Sequence, residues 1–298
     1  MGLGGLLIAT RPWSFPMTIL LSIVVALYAT IAGYAVNIPL VIVAIAGSVL
    51  LHAAANVLND YFDYRYGVDK PGTGTVIYRP HPIFANILTP QATLAYGIGL
   101  GLAGTILALI TWAARPLAPF LALLGLLAAY SYTGPPIKAK YRGLGELLVY
   151  IAWGIIIPIG VFYMASGLVK ILEPVIVSFP IALLIVGVLV ANNLRDIETD
   201  KAAGFVTIAT ILGKQKTQKL FKALVALAYA AQALIAVAAR QPLALLPLLS
   251  IPKAIETTRA LSGDRVPPNA DPLAAQLAFN FTVLAITGYT GQLLINLL

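Results

Sequence analysis

The chain lacks cysteine and carries little charge, and both absences limit what it can be. Without cysteine there are no disulfides, thiolate metal sites or cysteine nucleophiles. His52 and His81 are the only histidines, which argues against a histidine-based zinc site. Charged residues make up 10% of the chain and hydrophobic residues 60%, with a mean hydropathy of +0.91. Because a soluble globule of 298 residues needs more polar surface, the composition predicts a polytopic membrane protein.

Long apolar runs predict nine membrane-spanning helices in a single domain that covers residues 1–298. A span needs about 20 mostly apolar residues. The candidate spans are 14–35, 38–59, 91–113, 116–133, 145–166, 173–194, 218–239, 241–258 and 272–296. Residues 1–10 lack the basic region and cleavage site of a signal peptide, so the first span is expected to mediate insertion. The predicted fold class is therefore an all-α bundle of nine transmembrane helices.

Acids and amides cluster at two places where an apolar run ends. The first cluster is Asn56, Asn59, Asp60, Asp63 and Asp69, and the second is Asn192, Asn193, Asp196, Glu198 and Asp200. Together they hold six of the eleven carboxylates. Ionisable groups beside apolar helices are costly, so each cluster is a candidate functional site rather than a solvated helix end.

Helical spacing places the main members of each cluster on one helix face. Asn56, Asp60 and Asp63 are spaced i, i+4 and i+7, and the second cluster repeats this with Asn192, Asp196 and Asp200 at i, i+4 and i+8. Hard oxygen ligands without nitrogen or sulfur partners favour Mg²⁺, which often completes its coordination with substrate phosphates. Four predicted spans separate the clusters, which indicates a four-helix pseudo-repeat plus a ninth helix.

Basic residues lie mostly on one side of the predicted bundle. If the N-terminus and every second loop share a side, that side holds 16 of the 19 Lys and Arg residues, and the other holds only Arg115, Lys170 and Arg240. The positive-inside rule then places the N-terminus and both acidic clusters in the cytoplasm. Membrane topology, anionic headgroups and substrate phosphate account for this charge, and no nucleic-acid partner is expected.

Cations near the clusters are candidate phosphate ligands. Arg79 follows the first cluster, and Arg195 and Lys201 are interleaved with the second. The loop between the fourth and fifth spans carries Lys138, Lys140 and Arg142. Lys and Arg bind phosphate well, so carboxylates for metal beside these cations predict a diphosphate pocket at the membrane surface. Tyr132 and the neighbouring tyrosines are typical of an interfacial aromatic belt.

Three segments resemble the UbiA superfamily of intramembrane prenyltransferases. NVLNDYFDYRYGVD, from Asn56 to Asp69, and NNLRDIETDKAAG, from Asn192 to Gly204, are similar to the family's two aspartate-rich motifs. YTGPPIKAKYRGLGE, from Tyr132 to Glu146, resembles the loop between its fourth and fifth helices. The expected span number and the cytoplasmic placement of both motifs agree with that family.

Within the superfamily, the sequence of these motifs is most similar to the menaquinone-pathway branch, which prenylates 1,4-dihydroxy-2-naphthoate. The similar segments are Tyr66-Gly67-Val68-Asp69, Arg79-Pro80-His81-Pro82 and Asn193-Leu194-Arg195-Asp196. Two features depart from the commonest pattern. Gly67 stands where the first motif usually ends in aspartate, and Tyr132 and Lys138 are more widely spaced than the usual tyrosine-x-x-x-lysine.

The resemblance implies Mg²⁺-dependent transfer of a polyprenyl group from a polyprenyl diphosphate to an aromatic acceptor, of dihydroxynaphthoate or hydroxybenzoate type, in the cell membrane. It implies that the catalytic carboxylates are Asp60, Asp63, Asp196 and Asp200, with Asn56, Asp69 and Asn192 as further metal ligands. The implied substrate-binding residues are Asn56, Arg79, Tyr132, Lys138, Arg142, Asn192 and Lys201. Prenyl transfer to geranylgeranylglyceryl phosphate, for ether-lipid synthesis, is the alternative.

Two other classes of membrane protein also carry clustered acids. An ion-coupled transporter would place its ionisable groups near the bilayer midplane on broken helices, whereas these lie at span ends. A phosphoalcohol transferase also uses aspartates with magnesium, but with a different motif and fewer spans. The prenyltransferase interpretation is therefore favoured over both.

Overall fold

The computed structural model describes residues 2–72, 76 and 79–297. Its helices are α1 (Leu3–Ala9), α2 (Pro16–Ile31), α3 (Ile38–Tyr66), α4 (Pro90–Ile110), α5 (Ala118–Thr133), α6 (Gly145–Ser166), α7 (Leu172–Arg195), α8 (Ile197–Ala202), α9 (Ile208–Leu212), α10 (Lys214–Ala238), α11 (Ile251–Leu261) and α12 (Ala270–Leu297). Short 3₁₀ helices occupy Pro12–Ser14, Ala139–Tyr141 and Pro242–Ser250. No β-strand occurs within these described ranges, which confirms the predicted all-α class.

Seven helices in the described part of the chain are long and apolar enough to cross a membrane, which supports a multi-pass protein. They are α2 with the turn before it, α3, α4, α6, α7, α10 and α12. The predicted span 116–133 corresponds to α5, which has 16 residues. The predicted span 241–258 is divided between Pro242–Ser250 and α11, because prolines lack the N–H that a continuous α-helix needs. The count of nine spans and the pseudo-repeat stay predictions.

Helix α7 lies at the centre of the bundle. In its most apolar stretch 72% of the residues are buried, more than in any other of the seven spanning helices. It packs against α2, α10 and α12, and Val190, Ala191 and Leu194 are completely enclosed near its C-terminal end. The helix ends at Asp196, so the second acidic cluster projects from the rigid centre of the fold.

Helix α3 carries the first acidic cluster. The Asn37 side chain caps its start by accepting a hydrogen bond from the Leu40 amide at 3.1 Å. It ends at Gly67, which has a left-handed φ of 71°. Glycine adopts this conformation easily, so it often terminates helices. Its 29 residues extend about 43 Å, more than the roughly 30 Å hydrocarbon layer. The turns from Asn56 to Asp63 therefore lie where the helix leaves the membrane interior.

Two local features shape the cavity walls. A Cβ on Gly97 of α4 would lie only 2.9 Å from Leu58, so glycine lets α4 pack directly against α3 beside the cluster. In α6, Ala152–Ile156 form a π-helical turn. Such turns reorient side chains and often occur at functional sites. Trp153 within this turn lines the cavity described next.

Candidate active site

A cavity of about 680 Å³ opens between the membrane-spanning helices. Its polar end is lined by Arg11, Asn56, Asn59, Arg79, Lys140, Asn192, Arg195 and Asp271. Its deep end is lined by small and apolar residues that include Val43, Gly104, Ala118, Gly160 and Met164. From Asn56 to Val43, helix α3 follows the cavity for about 20 Å. The shape suits an amphiphile with an anionic head and an apolar tail.

Asp60 is fully buried between two arginines. Both Arg79 guanidinium nitrogens donate to its carboxylate, at 3.0 and 2.6 Å, and Arg11 donates to Oδ1. A bidentate guanidinium pair is strong and directional. Two guanidinium groups share this one buried carboxylate, and the second carboxylate nearby is that of Asp69.

Asp63 is held by the loop that follows α5. Lys140 Nζ lies 2.6 Å from its Oδ2, the Tyr141 hydroxyl donates to Oδ1 at 2.5 Å, and Asn59 Nδ2 donates to Oδ2 at 2.8 Å. Burial opposes the charge on Lys140, but Asp63, Tyr132 and Asp69 together outweigh it and raise the pKa of Lys140. Burial and the same carboxylate raise the pKa of Tyr141, which keeps it a neutral donor. Lys140 therefore stays charged beside Asp63.

Asp69 lies beside His81, just beyond α3. The Asp69 Oδ2 to His81 Nε2 distance is 3.5 Å, and neither atom has a hydrogen-bond partner in the described part of the chain. His81 Nδ1 accepts from the Ile83 and Phe84 amides, at 3.2 and 3.4 Å, so a neutral ring carries its proton on Nε2. Burial raises the pKa of Asp69, but its contact with His81 and nearby cations lower it overall. His81 therefore orients Asp69 as a carboxylate.

The second cluster is organised by Arg195. Its guanidinium donates to both Asp196 oxygens, at 2.8 and 2.7 Å, and also to Asp271 at the start of α12. Asn193 donates to Glu146 at 2.7 Å, which links α7 to α6. The central aspartate of each cluster is thus bound by an arginine fork that lines the cavity.

Asp200 lies one turn into α8. Burial raises the pKa of Asp200 to about 6, and the negative charge of Asp196 adds to the effect, against a lowering by Lys140. The Thr207 hydroxyl lies 3.4 Å from its Oδ2. The charged form of Asp200 is therefore disfavoured, and a cation placed beside it would stabilise that form.

The loop after α5 connects the two clusters. Lys140 and Tyr141 bind Asp63 of the first cluster, while the Gly143 amide donates to Val206 O at 2.8 Å, just beyond the second. The Tyr141 ring also lies 5.7 Å from that of Phe205. One loop thus spans the mouth of the cavity and fixes both acidic clusters relative to each other.

Some predicted site residues lie on this cavity and others face away. Asn56, Arg79, Tyr132 and Asn192 line it. Lys138 lies over the Tyr66 ring at 4.0 Å, Arg142 is exposed, and Lys201 pairs with Glu198 at 3.7 Å on the surface. The aspartates Asp60, Asp63, Asp196 and Asp200 lie behind cations or at the mouth rather than on the cavity wall. Their proposed roles as metal ligands stay predictions.

Several cavity residues were not expected from the sequence. They are Arg11, His52, Trp153 and Asp271. Arg11 comes from before the first span and Asp271 from the start of the last. Both lie in a loop or at a span end, and no local spacing ties them to either motif. Lys140, by contrast, lies within the loop whose cations were predicted to bind phosphate.

The donor set fits a divalent cation with oxygen ligands. Asp60, Asp69 and His81 place one ligand atom each within 4.8 Å of the others. The free buried Oδ2 of Asp69 is the kind of oxygen that a hard cation binds, whereas the protonated Nε2 of His81 is not a metal ligand in this tautomer. The carboxylates therefore fit Mg²⁺ better than a metal that needs imidazole.

A membrane-spanning bundle around a cavity with a cationic end and an apolar body defines a membrane-embedded protein, and the shape of that cavity suits an anionic amphiphile. Comparison with known proteins makes the class specific. Residues 16–262 match the UbiA prenyltransferase family. The chain belongs to that family of membrane-embedded enzymes that transfer prenyl groups.

Individual relatives agree with this membership. Human UbiA prenyltransferase domain-containing protein 1 is 33% identical over 261 residues, which is 85% of this chain and 73% of that protein. The 1,4-dihydroxy-2-naphthoate octaprenyltransferase of Bacillus subtilis is 30% identical over 226 residues, 74% of this chain and 70% of that protein. A UbiA homologue from Archaeoglobus fulgidus, solved with GPP and Mg²⁺, shares the fold with a TM-score of 0.69, at 15% identity over 97% of this chain and 99% of that one.

Proposed function

We propose that this protein transfers a polyprenyl group from its diphosphate to an aromatic acceptor, of dihydroxynaphthoate or hydroxybenzoate type, for quinone synthesis in the cell membrane. The observation that carries the proposal is the composition of the cavity wall. Arg11, Arg79, Lys140 and Arg195 line one end of it, and a deep apolar chamber continues from them. A diphosphate with an isoprenoid tail has this division of charge and apolar surface.

The cationic end supports binding of the diphosphate. Guanidinium forks and an ammonium group donate several charge-assisted hydrogen bonds to phosphate oxygens. Arg79 is 9% exposed and Lys140 20%, so both act from partly enclosed positions where water screens little. These two residues, with Arg195, are the proposed diphosphate ligands.

The apolar end supports binding of the tail. Small residues on three helices, among them Gly104, Ala118 and Gly160, leave space that larger side chains would fill. Burial of an isoprenoid chain contributes about 25 cal/mol per Å² of apolar surface removed from water or headgroups. The tail therefore fixes the diphosphate at the cationic end.

Mg²⁺ is the proposed cofactor, held by Asp60, Asp63, Asp69, Asp196 and Asp200 with amide oxygens of Asn56 and Asn192. When bound, it would neutralise charge on the diphosphate leaving group. The known complex of the Archaeoglobus fulgidus homologue with GPP and Mg²⁺ agrees with this pairing of ligand and ion.

The chain's own residues can assist the departure of diphosphate. The carbon–oxygen bond of the prenyl diphosphate breaks with its electron pair leaving on the phosphate, and a ring carbon of the acceptor forms the new bond. That carbon then loses its proton, or CO₂ where it carries a carboxylate, so that the ring becomes aromatic again. Arg79, Lys140 and Arg195 stabilise the charge that develops on the leaving oxygen. The apolar wall excludes water, which would otherwise capture the cationic prenyl carbon.

The proposed acceptor rests on the sequences of the motifs and on similarity to the Bacillus subtilis naphthoate octaprenyltransferase. The nine-span topology belongs to the same proposal, with α5 and the segment Pro242–Leu261 as the two additional spans. It places the N-terminus and both acidic clusters in the cytoplasm, where soluble aromatic acids are accessible.

An acceptor competition tests the proposal. Purified protein receives geranylgeranyl diphosphate and Mg²⁺ with equal amounts of 1,4-dihydroxy-2-naphthoate, 4-hydroxybenzoate and geranylgeranylglyceryl phosphate, and the products are separated by mass. A prenylated aromatic ring is expected from the wild type and from the control Glu256→Gln, a surface change. Asp60→Asn should form none. Prenylation of the glycerol lipid alone would overturn the aromatic assignment.

A further inference from the structure

A chain of hydrogen bonds crosses three helices on one side of the cavity. The Trp153 indole nitrogen donates to Thr18 Oγ1 at 3.1 Å, and Thr18 Oγ1 lies 2.9 Å from His52 Nδ1. His52 Nε2 lies 3.2 Å from Ser14 Oγ, which donates to the Arg11 carbonyl at 2.8 Å. The chain thus joins α6, α2 and α3 to the segment before α2.

The donors fix the direction of this chain. The indole N–H can only donate, so Thr18 accepts from it and its own hydrogen points to His52 Nδ1. His52 then carries its proton on Nε2 and donates to Ser14, whose hydroxyl hydrogen goes to Arg11 O. Every donor has one acceptor. The Phe15 and Trp153 rings meet His52 edge-on, at 5.6 and 4.9 Å, so its ring is held by packing as well.

The chain ends on a backbone bend that needs support. Arg11 has φ 56° and ψ 60°, a left-handed conformation that a residue with a Cβ rarely adopts. Asn56 Nδ2 donates to Thr10 O at 3.0 Å and to Ser14 Oγ at 3.1 Å, on either side of the bend. His52 and Asn56, one turn apart on α3, therefore hold both ends of the bend against that helix.

The bend delivers the Arg11 guanidinium to the cationic end of the cavity. Arg11 donates to Asp60, which already receives both nitrogens of Arg79. Its buried Nε has no hydrogen-bond partner in the described ranges, so it keeps a donor available. Because Asp60 accepts from two guanidinium groups, it does not satisfy all the N–H donors of Arg11, which can bind the oxygens of a polyanion.

We propose that Arg11 is a diphosphate-binding residue and that His52 is a positioning residue that acts through Arg11 by way of Ser14. This inference rests on the proposed function, because it names a further ligand for the same diphosphate. It predicts energetic coupling between Arg11 and His52, because His52 holds, through Ser14, the backbone bend from which the Arg11 side chain extends.

The test measures binding of inorganic pyrophosphate with Mg²⁺ by calorimetry on the purified protein in detergent. Arg11→Gln should raise Kd about tenfold or more, as expected for loss of a charge-assisted hydrogen bond. Arg65→Gln is the matched control, since Arg65 is an exposed residue of α3 whose guanidinium donates to the Tyr61 hydroxyl at 3.0 Å rather than to a cavity carboxylate, and it should leave Kd unchanged. Arg11→Lys keeps the charge and should give an intermediate Kd, which also serves if Arg11→Gln fails to fold.

His52 is tested by a double-mutant cycle. His52→Phe keeps a ring but loses both hydrogen bonds, and it should raise Kd in the wild type yet add little in the Arg11→Gln background. His52→Gln restores an N–H donor towards Ser14 and should recover part of the affinity. A change at His52 that merely loosened the fold would add fully to Arg11→Gln and would not be rescued.

The outcomes separate this inference from the proposed function. Wild-type protein that bound no pyrophosphate would contradict the proposed function itself. Normal wild-type binding that Arg11→Gln left unchanged would overturn the role of Arg11 alone. Full additivity of His52→Phe and Arg11→Gln would overturn the role of His52, whatever acceptor the enzyme uses.

Discussion

Lys140 Nζ lies 2.6 Å from Asp63 Oδ2, across 77 residues of sequence. The contact joins the loop after α5 to the end of α3, and the Lys140 ammonium also lies 3.0 Å from Asn59 Oδ1. Lys138, two residues earlier, lies over the Tyr66 ring instead. The two lysines are only two residues apart in the sequence, but Lys140 lines the cavity and Lys138 does not.

Lys140→Met should reduce turnover at least about tenfold, because it removes a cation from the cavity and leaves buried Asp63 without its ion pair. Lys138→Met should change turnover by less than about threefold, since it removes a cation–π contact with Tyr66 that lies away from the cavity. Steady-state prenyl transfer with both variants checks this. Equal losses would show that the loop acts only as positive surface charge.

The sequence predicted the acidic clusters because they depend on local helical spacing. Asn56, Asp60 and Asp63 fall on the end of α3 as the i, i+4, i+7 pattern requires. Residues brought in by long-range contacts had no such signal. Arg11 reaches Asp60 over 49 residues through a left-handed bend that its sequence does not indicate.

Lys138 was predicted to bind the diphosphate, but Lys140 is the lysine of this loop that lines the cavity. The geometry of the loop explains the difference. Lys138 is itself in a left-handed conformation with φ 51°, and a 3₁₀ turn follows at Ala139–Tyr141. Neither gives a periodic pattern, so the direction of each side chain cannot be predicted from spacing. The segment 241–258 differs for another reason, because hydropathy averages over Pro242, Pro247 and Pro252 and hides the break in the helix.

Mg²⁺ should bind weakly by itself and more tightly with pyrophosphate. The carboxylates of Asp60 and Asp196 are bound by Arg79 and Arg195, so a cation must compete with guanidinium groups unless an anion draws these away. Calorimetry with and without pyrophosphate measures the difference. Arg79→Gln should strengthen binding of Mg²⁺ alone and weaken it with pyrophosphate. Weakening of both would show that Arg79 does not compete with the ion.

Asp200 should make the stability of the metal-free protein depend on pH. Burial raises its pKa to about 6, above the ordinary value of 3.8, so its charged form is disfavoured in the fold and stability is lost as pH rises through that range. Asp200→Asn should therefore melt at a higher temperature than wild type at pH 8, with the difference disappearing below about pH 4. Glu198→Gln, at an exposed neighbour, should show no such pH-dependent difference.

Labelling of single cysteines tests the proposed orientation, because the natural chain has no cysteine. Lys201→Cys, beside the second acidic cluster, should react with an impermeant maleimide only when the cytoplasmic face is open. Lys170→Cys, in the loop between α6 and α7, should react in intact cells. The opposite pattern would contradict the placement of both clusters in the cytoplasm and the odd number of spans behind it.

Gly160 tests whether the deep cavity holds the isoprenoid tail. It lines the cavity on α6, and a Cβ there would meet no other atom within 4 Å, so a larger side chain can extend from this position into the cavity. Gly160→Ile should lower kcat/KM for geranylgeranyl diphosphate about tenfold or more, and that for dimethylallyl diphosphate much less, because only the longer tail reaches this depth.

The control for this change is Gly99→Ile on α4. Gly99 is exposed, and a Cβ there also meets nothing within 4 Å, so the two variants share the same helix-propensity change but differ in their relation to the cavity. Gly99→Ile should affect both donors equally and little. If Gly160→Ile behaved in the same way, the tail would have to leave the cationic end by another route, and the apolar chamber would not be its binding site.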